Sequence, residues 1–309
     1  MPEELVLIVN PRAGAGRAAR LLPRLERALR ARGFDPRVRR TERARHATDL
    51  VREALRGGAP GVAVVGGDGT LNEAVNGFFE PDGTALSASA WLAPLPCGTG
   101  GDFRKTVGIS NDVESMVARL AEATPRPLDA GWLRYEDHDG RPGACAFLNI
   151  ASFGLAGLVD RIVNRGPKWM GGKPAFMLGT FRGIARYRNQ RVRLQVDDAA
   201  PYEHAILNVA IANGRYFGGG MQVAPHAQPD DGLFDVVAIE RSGVRGNVGL
   251  LKHMYGDTLL EQDGVWHTRG RKVVAEPLDG VPVLLDVDGE APGRLPATFE
   301  IRPGALRLR

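Results

Sequence analysis

At 309 residues, with 43% hydrophobic and 25% charged residues, the chain is globular in composition and long enough for two domains, which excludes a disordered or low-complexity protein. A net charge of +4 favours anionic partners such as nucleotides, acidic lipid surfaces or nucleic acid, without choosing among them. Cys97 and Cys145 form neither a disulfide framework nor a metal spacing, and no apolar run approaches the ~20 residues that cross a bilayer, so the expectation is a cytoplasmic protein able to visit a membrane surface.

The first third alternates strand and helix signals. Leu5 to Val9 reads as a buried strand, and Leu21, Leu22, Leu25 and Leu29 then recur at helical spacing until Gly33. Between them, Gly14-Ala15-Gly16-Arg17-Ala18-Ala19 matches the dinucleotide pattern G-x-G-x-x-A. The acidic residue that pattern needs after the second strand is missing, because Pro36 to Arg40 ends on Arg39-Arg40. Leu50, Val51, Ala54 and Leu55 mark a second helix face. Val62 to Val65 is the third strand, and Leu71, Ala74, Val75 and Phe78 give a third helix its apolar side. Trp91 to Leu95 is a fourth strand, and Val113, Met116, Val117 and Leu120 mark a further helix. This alternation predicts a parallel sheet covered by helices.

Gly66-Gly67-Asp68-Gly69-Thr70 joins the third strand to its helix. Glycines there let backbone approach a bulky ligand, and a helix opening behind them offers free N–H groups for phosphate. A carboxylate among such donors, Asp68, suits a phosphate only when a cation mediates. Leu95 to Phe103 supplies another glycine-rich turn after the fourth strand. Three such turns would lie together beyond the carboxyl ends of parallel strands, where α/β sheets bind ligands.

Beyond Pro125-Arg126-Pro127 strands dominate: Leu128 to Tyr135, Ala144 to Ala151, Arg191 to Val196, Ala205 to Ala212, Leu233 to Ile239, Lys272 to Ala275 and Val281 to Val287, with the tail strand-like at Thr298 to Ile301 and Leu306 to Leu308. Helices are expected near Phe176 to Tyr187 and Val248 to Tyr255. Asp286, Asp288 and Glu290 alternate in a strand-like run and would share one face, where mutual repulsion raises a pKa towards that of a base. Lys168, Trp169, Met170, Lys173 and the stretch from Phe176 to Arg193 combine basic and apolar side chains, which suits docking on an anionic membrane surface as well as an ordinary surface helix.

Asn-Pro-x-Ala-Gly at Asn10, Gly-Gly-Asp-Gly-Thr-Leu-Asn-Glu at Gly66 and Leu-Pro-x-Gly-Thr-Gly-x-Asp-Phe at Leu95 together resemble the bacterial diacylglycerol and lipid kinase family. Phe147 to Gly154, Ala212 to Met221, Asp230-Asp231-Gly232 and Asp288-Gly289-Glu290 extend the likeness over nearly the whole chain. The resemblance implies an α/β fold: an N-terminal three-layer nucleotide domain like that of phosphofructokinase and NAD kinase, and a C-terminal all-β, sandwich-like domain. Residues 1–127 would form the first and residues 128–296 the second, with the tail 297–309 packing back on the first.

It also implies site residues. Asn10, Pro11, Arg12, Ala13, Gly14, Thr41, Gly66, Gly67, Asp68, Gly69, Thr70, Leu71, Asn72 and Thr99 would hold ATP, with Asp68 organising Mg²⁺ and Glu290 as general base. Asp231 would bind a structural Mg²⁺ with main-chain carbonyls of Gln228 and Leu233. The implied partners are ATP, a lipid substrate such as diacylglycerol and, transiently, an anionic membrane, not nucleic acid; an exposed sheet edge leaves a homodimer open. The family has asparagine where this chain has Gly101. An NAD kinase relative shares Gly-Gly-Asp-Gly-Thr, but Leu71-Asn72-Glu73 and Asp288-Gly289-Glu290 favour the lipid family; retention of Asp68, Asp231 and Glu290 argues against a protein that only binds.

Overall fold

The structure is a computed structural model that describes residues 2–97, 101–159, 187, 190–240, 249–250 and 252–309. The expected helix at 176–187 and the basic-apolar segment up to residue 189 lie outside these residues, Tyr187 apart.

The first part follows the predicted alternation: β1 (Glu3–Val9), α1 (Ala13–Ala31), β2 (Phe34–Arg40), α2 (His46–Arg56), β3 (Gly61–Gly66), α3 (Asp68–Asn76), β4 (Trp91–Pro96), α4 (Asp102–Thr106) and α5 (Val113–Glu122). The four strands pair in parallel in the order β2-β1-β3-β4. Alternation along β1 sorts its side chains to two faces. Leu5, Leu7 and Val9 pack with Leu22, Leu25 and Leu29 of α1 and Val117 and Leu120 of α5. Val6 and Ile8 pack with Val51 of α2 and Leu71, Ala74 and Val75 of α3 on the other face. This is the three-layer arrangement expected.

The second part is β-rich: β5 (Arg126–Asp137), β6 (Pro142–Phe147), β7 (Ile150–Gly154), β8 (Gln190–Val196), β9 (Tyr202–Ala212), β10 (Tyr216–Phe217), β11 (Met221–Gln222), β12 (Phe234–Glu240), β13 (Val265–Gly270), β14 (Lys272–Pro277), β15 (Leu285–Val287) and β16 (Gly293–Leu308). Among the described residues fourteen strands share one hydrogen-bonded sheet, whose main path runs β13-β12-β9-β8-β14-β16-β4-β3-β1-β2. The link between the halves is β16. It runs antiparallel to β5 from Gly293 to Leu308, and its end pairs in parallel with β4 at Trp91 and Leu92. The second core centres on Phe147, Phe153, Phe234 and Phe299; Phe153 stacks on Phe299 at 6.0 Å and Phe147 on Phe234 at 5.6 Å.

Several expectations are corrected. The single strand expected over 144–151 is two, β6 and β7, because Leu148 and Asn149 leave the ladder and turn their N–H groups to Asp288. The strand expected over 281–287 is only Leu285–Val287. The two tail segments are one strand whose register shifts between Arg302 and Leu306. β13 was not expected, because Trp266, His267 and Thr268 carry no alternation of apolar and polar residues.

Candidate active site

Three turns meet at the carboxyl ends of β1, β3 and β4, and the backbone ties them together. Asn10 N–H donates to the Val65 carbonyl at 3.0 Å, Thr41 N–H to Val9 at 2.9 Å and Cys97 N–H to Gly66 at 3.0 Å. The Asn10 side chain braces the first turn against α3: Nδ2 donates to Thr70 Oγ1 at 2.9 Å, and Oδ1 accepts from Arg12 N–H at 3.0 Å. Gly14, Ala15 and Gly16 all have left-handed backbone. At Gly14 the close approach is the reason for glycine, because a Cβ there would lie 2.4 Å from the Cys97 carbonyl oxygen.

Asp68 clamps the second turn to the third. Its Oδ2 accepts from the N–H groups of Gly101 at 2.8 Å and Asp102 at 3.3 Å. Burial raises its pKa first and the Asp102 charge adds to that, while the two amides oppose the rise. Asp102 in turn ties the third turn to the second half. One oxygen pairs with Lys105 at 2.7 Å, and the other accepts from Gly219 N–H at 2.7 Å. Gly101, in place of the family's asparagine, sits at φ 72°, and a Cβ there would lie 2.6 Å from Arg104 Nε. Arg104 therefore occupies the space a side chain at 101 would need.

The residues expected to hold ATP do not all face the turns. Asn10, Pro11, Arg12, Ala13, Gly14, Thr41, Gly66, Gly67, Asp68 and Gly69 are brought together. Thr70 is 6% exposed, with its hydroxyl taken by Asn10, whereas Leu71, a core residue beside α2, also lines a cavity with Gly66, Gly67 and Asp68. Asn72 reaches away from the turns and donates to Asp288 Oδ2 at 3.1 Å and the Ala146 carbonyl at 3.3 Å. Thr99 lies outside the described residues.

The second half delivers the carboxylates, though not from one strand face. The strand ends at Val287 and a tight turn follows, closed by reciprocal Val287–Glu290 backbone bonds of 2.7 and 3.0 Å, with Asp288 at φ 51°. Asp288 is turned inward. It accepts from the N–H groups of Leu148 (3.0 Å), Asn149 (3.1 Å) and Ile150 (2.9 Å) and from Asn72. Burial still pushes it up to about 6 against those four donors. Glu290 instead meets the start of α3, where its Oε1 lies 3.4 Å from the place a Cβ on Gly69 would occupy. Burial raises the Glu290 pKa first, then the charges of Glu73 and Asp286; the Arg45 charge opposes them. The carboxylate that presses on Glu290 most is thus Glu73 rather than Asp288.

Glu73 and Arg45 had no assigned role from the sequence. Glu73 closes the Gly66–Glu73 motif, and its Oε2 accepts from Ala47 N–H at 3.3 Å. Arg45 precedes α2 with left-handed backbone, φ 61°, a conformation that is uncommon for a long side chain.

The residues expected to bind a structural Mg²⁺ do not fit one. Asp231 Oδ2 pairs with Arg269 Nη2, and its Oδ1 accepts from Leu233 N–H at 3.0 Å. Mg²⁺ requires oxygen ligands in near-octahedral array, and a guanidinium already neutralises this carboxylate. Among the described residues no group of three His, Cys, Asp or Glu side chains is gathered as a metal cage.

The site is thus a two-part arrangement, a parallel α/β half with glycine-rich strand ends faced by Glu290 from a β-rich half. Residues 4–133 match the model of the diacylglycerol kinase catalytic domain, and residues 149–309 match that of the YegS C-terminal NAD kinase beta sandwich-like domain. The chain is 32% identical over 281 residues to a Stenotrophomonas maltophilia protein named "Probable lipid kinase YegS-like", covering 90% of this chain and 88% of that one. The chain belongs to this lipid kinase family. In fold it is similar to a Bacillus anthracis diacylglycerol kinase (TM-score 0.73, 23% identity, 99% and 96% of the two chains covered). It is also similar to yeast NADH kinase (TM-score 0.51, 10% identity, 100% and 83% covered).

No helix among the described residues is long and apolar enough to cross a membrane. In the basic stretch, Arg191 and Arg193 share Glu203 at 2.8 and 3.2 Å and Arg193 also pairs with Glu276 at 3.4 Å.

Proposed function

We propose that the protein is an ATP- and Mg²⁺-dependent lipid kinase that transfers the γ-phosphoryl group of ATP to a hydroxyl of diacylglycerol or a related lipid. The observation that carries this reading is the placement of Glu290 from the β-rich half against Gly69 at the opening of α3. A base for an acceptor hydroxyl and a phosphate-binding turn thereby face each other. In this reading the three turns, with Asn10 to Gly14, Thr41, Gly66 to Asp68 and Thr99, cradle the nucleotide through backbone N–H groups. Mg²⁺ arrives with ATP as part of the substrate. Asp68, whose Oδ2 accepts from Gly101 and Asp102, would hold that ion through its carboxylate. One or two carboxylates plus phosphate oxygens are the usual protein share of such an ion.

Glu290 takes the proton of the acceptor hydroxyl. The freed oxygen attacks the γ-phosphorus, the bond from that phosphorus to the β–γ bridging oxygen breaks, and ADP leaves with the electron pair. Burial, and after it the charges of Glu73 and Asp286, make Glu290 a stronger base than an isolated carboxylate. In this reading residues 1–127 bind ATP and residues 128–296 hold the lipid.

The test is incubation with γ-labelled ATP, Mg²⁺ and diacylglycerol-containing vesicles, followed by identification of the labelled lipid. Label is expected in a phosphorylated lipid. Glu290→Gln is expected to lower kcat by ~10²–10⁴-fold with an unchanged melting temperature. A loss below tenfold removes Glu290 from the role of base, and absence of label from every lipid of a total extract sinks the kinase reading itself.

A further inference from the structure

We infer that Arg269 is the built-in cation of the loop spanning residues 228–233, taking the place of a bound divalent ion. Its neighbour strand makes this possible. In the β12–β13 register Asp235 lies opposite Arg269 and Val237 opposite His267. Arg269 and His267, two residues apart, present their side chains on one face of β13. Arg269 Nε reaches Asp235 Oδ2 at 3.3 Å while its Nη2 reaches Asp231. His267 Nε2 sits 2.9 Å from Asp235 Oδ1, and the Asp235 side chain is 1% exposed.

The other two carboxylates of the cluster are also matched. Asp230 pairs with Arg126 at 2.7 Å. Asp129 accepts from Gly232 N–H and Gly304 N–H, both at 2.7 Å. Arg269 thus serves both Asp231 and Asp235, Arg126 serves Asp230, and two backbone amides hold Asp129. A divalent ion entering here would have to displace Arg269 from Asp231, whose carboxylate oxygen is the anionic ligand it would need.

The arrangement also has a task. The loop it pins supplies the Pro229 carbonyl to Asp129 N–H at 2.8 Å, and Asp129 lies at the start of β5, where the two halves join. A planar guanidinium with donors fixed in a fork can bridge two carboxylates and hold that loop rigidly.

The inference is independent of the substrates, because it is read without nucleotide or lipid. Protein purified without chelator is analysed for bound metal, and its thermal unfolding is followed in EDTA and in millimolar Mg²⁺. The wild type is expected to carry substoichiometric metal and to melt at the same temperature in both. Arg269→Gln leaves Asp231 and the buried Asp235 short of a cation and is expected to lower the melting temperature by about 5 °C or more. Added Mg²⁺ is expected to recover part of that loss, and Arg269→Lys, which keeps the charge, to lose less. Stoichiometric Mg²⁺ in the wild type with an EDTA-sensitive melt overturns the inference. So does an Arg269→Gln protein that melts like the wild type. The wild-type measurements decide the question even where the glutamine variant does not fold.

Discussion

Asp288 and Glu290 stand two residues apart and do different work. Asp288 spends its carboxylate on three backbone N–H groups and Asn72, so it shapes the β6–β7 corner and ties α3 to it. Glu290 lies beside Gly69 with a raised pKa. A general base acts only when deprotonated, so a raised pKa means that activity is lost, as pH falls, at a pH above the ordinary glutamate value of about 4.3. The acid limb of the kcat/KM profile is therefore expected above that value. Arg45 favours the charged form of Glu290; Arg45→Ala is expected to move the limb further towards neutral pH. A pH–rate profile of wild type and variant checks both statements. A limb at the ordinary glutamate position, or one that Arg45→Ala leaves in place or lowers, would falsify the assignment of the limb to Glu290.

Each glycine turn is a strand end, a short crossing and a helix start, and its geometry is set by what the neighbouring turn allows. Gly14 touches the third turn through the Cys97 carbonyl, whereas a Cβ on Gly16 would meet nothing within 4 Å. Both have left-handed backbone, so an alanine at either carries that strain, and only Gly14→Ala adds a backbone clash. Gly14→Ala is expected to cost about 1–3 kcal/mol more than Gly16→Ala and to raise the KM for ATP. Urea unfolding and steady-state kinetics of the pair decide it, and equal effects would place the first turn apart from the third. The turns themselves were legible in sequence, because glycine runs behind apolar strand segments have a local cause. What Asn72 and Glu73 do was not, since their partners Asp288 and Ala47 lie 216 and 26 residues away in the chain. The alternation of Asp286, Asp288 and Glu290 misled for the same reason: the N–H groups of Leu148 to Ile150, invisible to a local pattern, draw Asp288 inward and the strand ends before it. β13 gave no periodic signal, as its His267 and Arg269 answer to Asp235 and Asp231 rather than to the core.

At the scale of the whole molecule, the two halves are joined by β16 more than by their cleft. Its last residues pair with β4, its middle pairs with β14, and nearly its whole length pairs with β5. Leu128, Ala130 and Trp132 of β5 and Leu306 and Leu308 of β16 belong to the same core as Val6, Ile8 and Val64 of the first half. Phe299 of β16 is fully buried in the other core, stacked on Phe153. A strand that contributes side chains to both cores cannot leave one without loosening the other, so the halves are expected to unfold together in one calorimetric transition. Phe299→Ala removes a large buried ring and is expected to cost about 3–5 kcal/mol. Although the cavity lies in the β-rich half, hydrogen exchange in this variant should lose protection in β1 and β9 to the same degree. Exchange that accelerates in β9 while β1 stays protected would mean that β16 unzips from β4 before the cores respond. The two halves would then be separate folding units held at the cleft by contacts such as those of Asp102, Asn72 and Asn76.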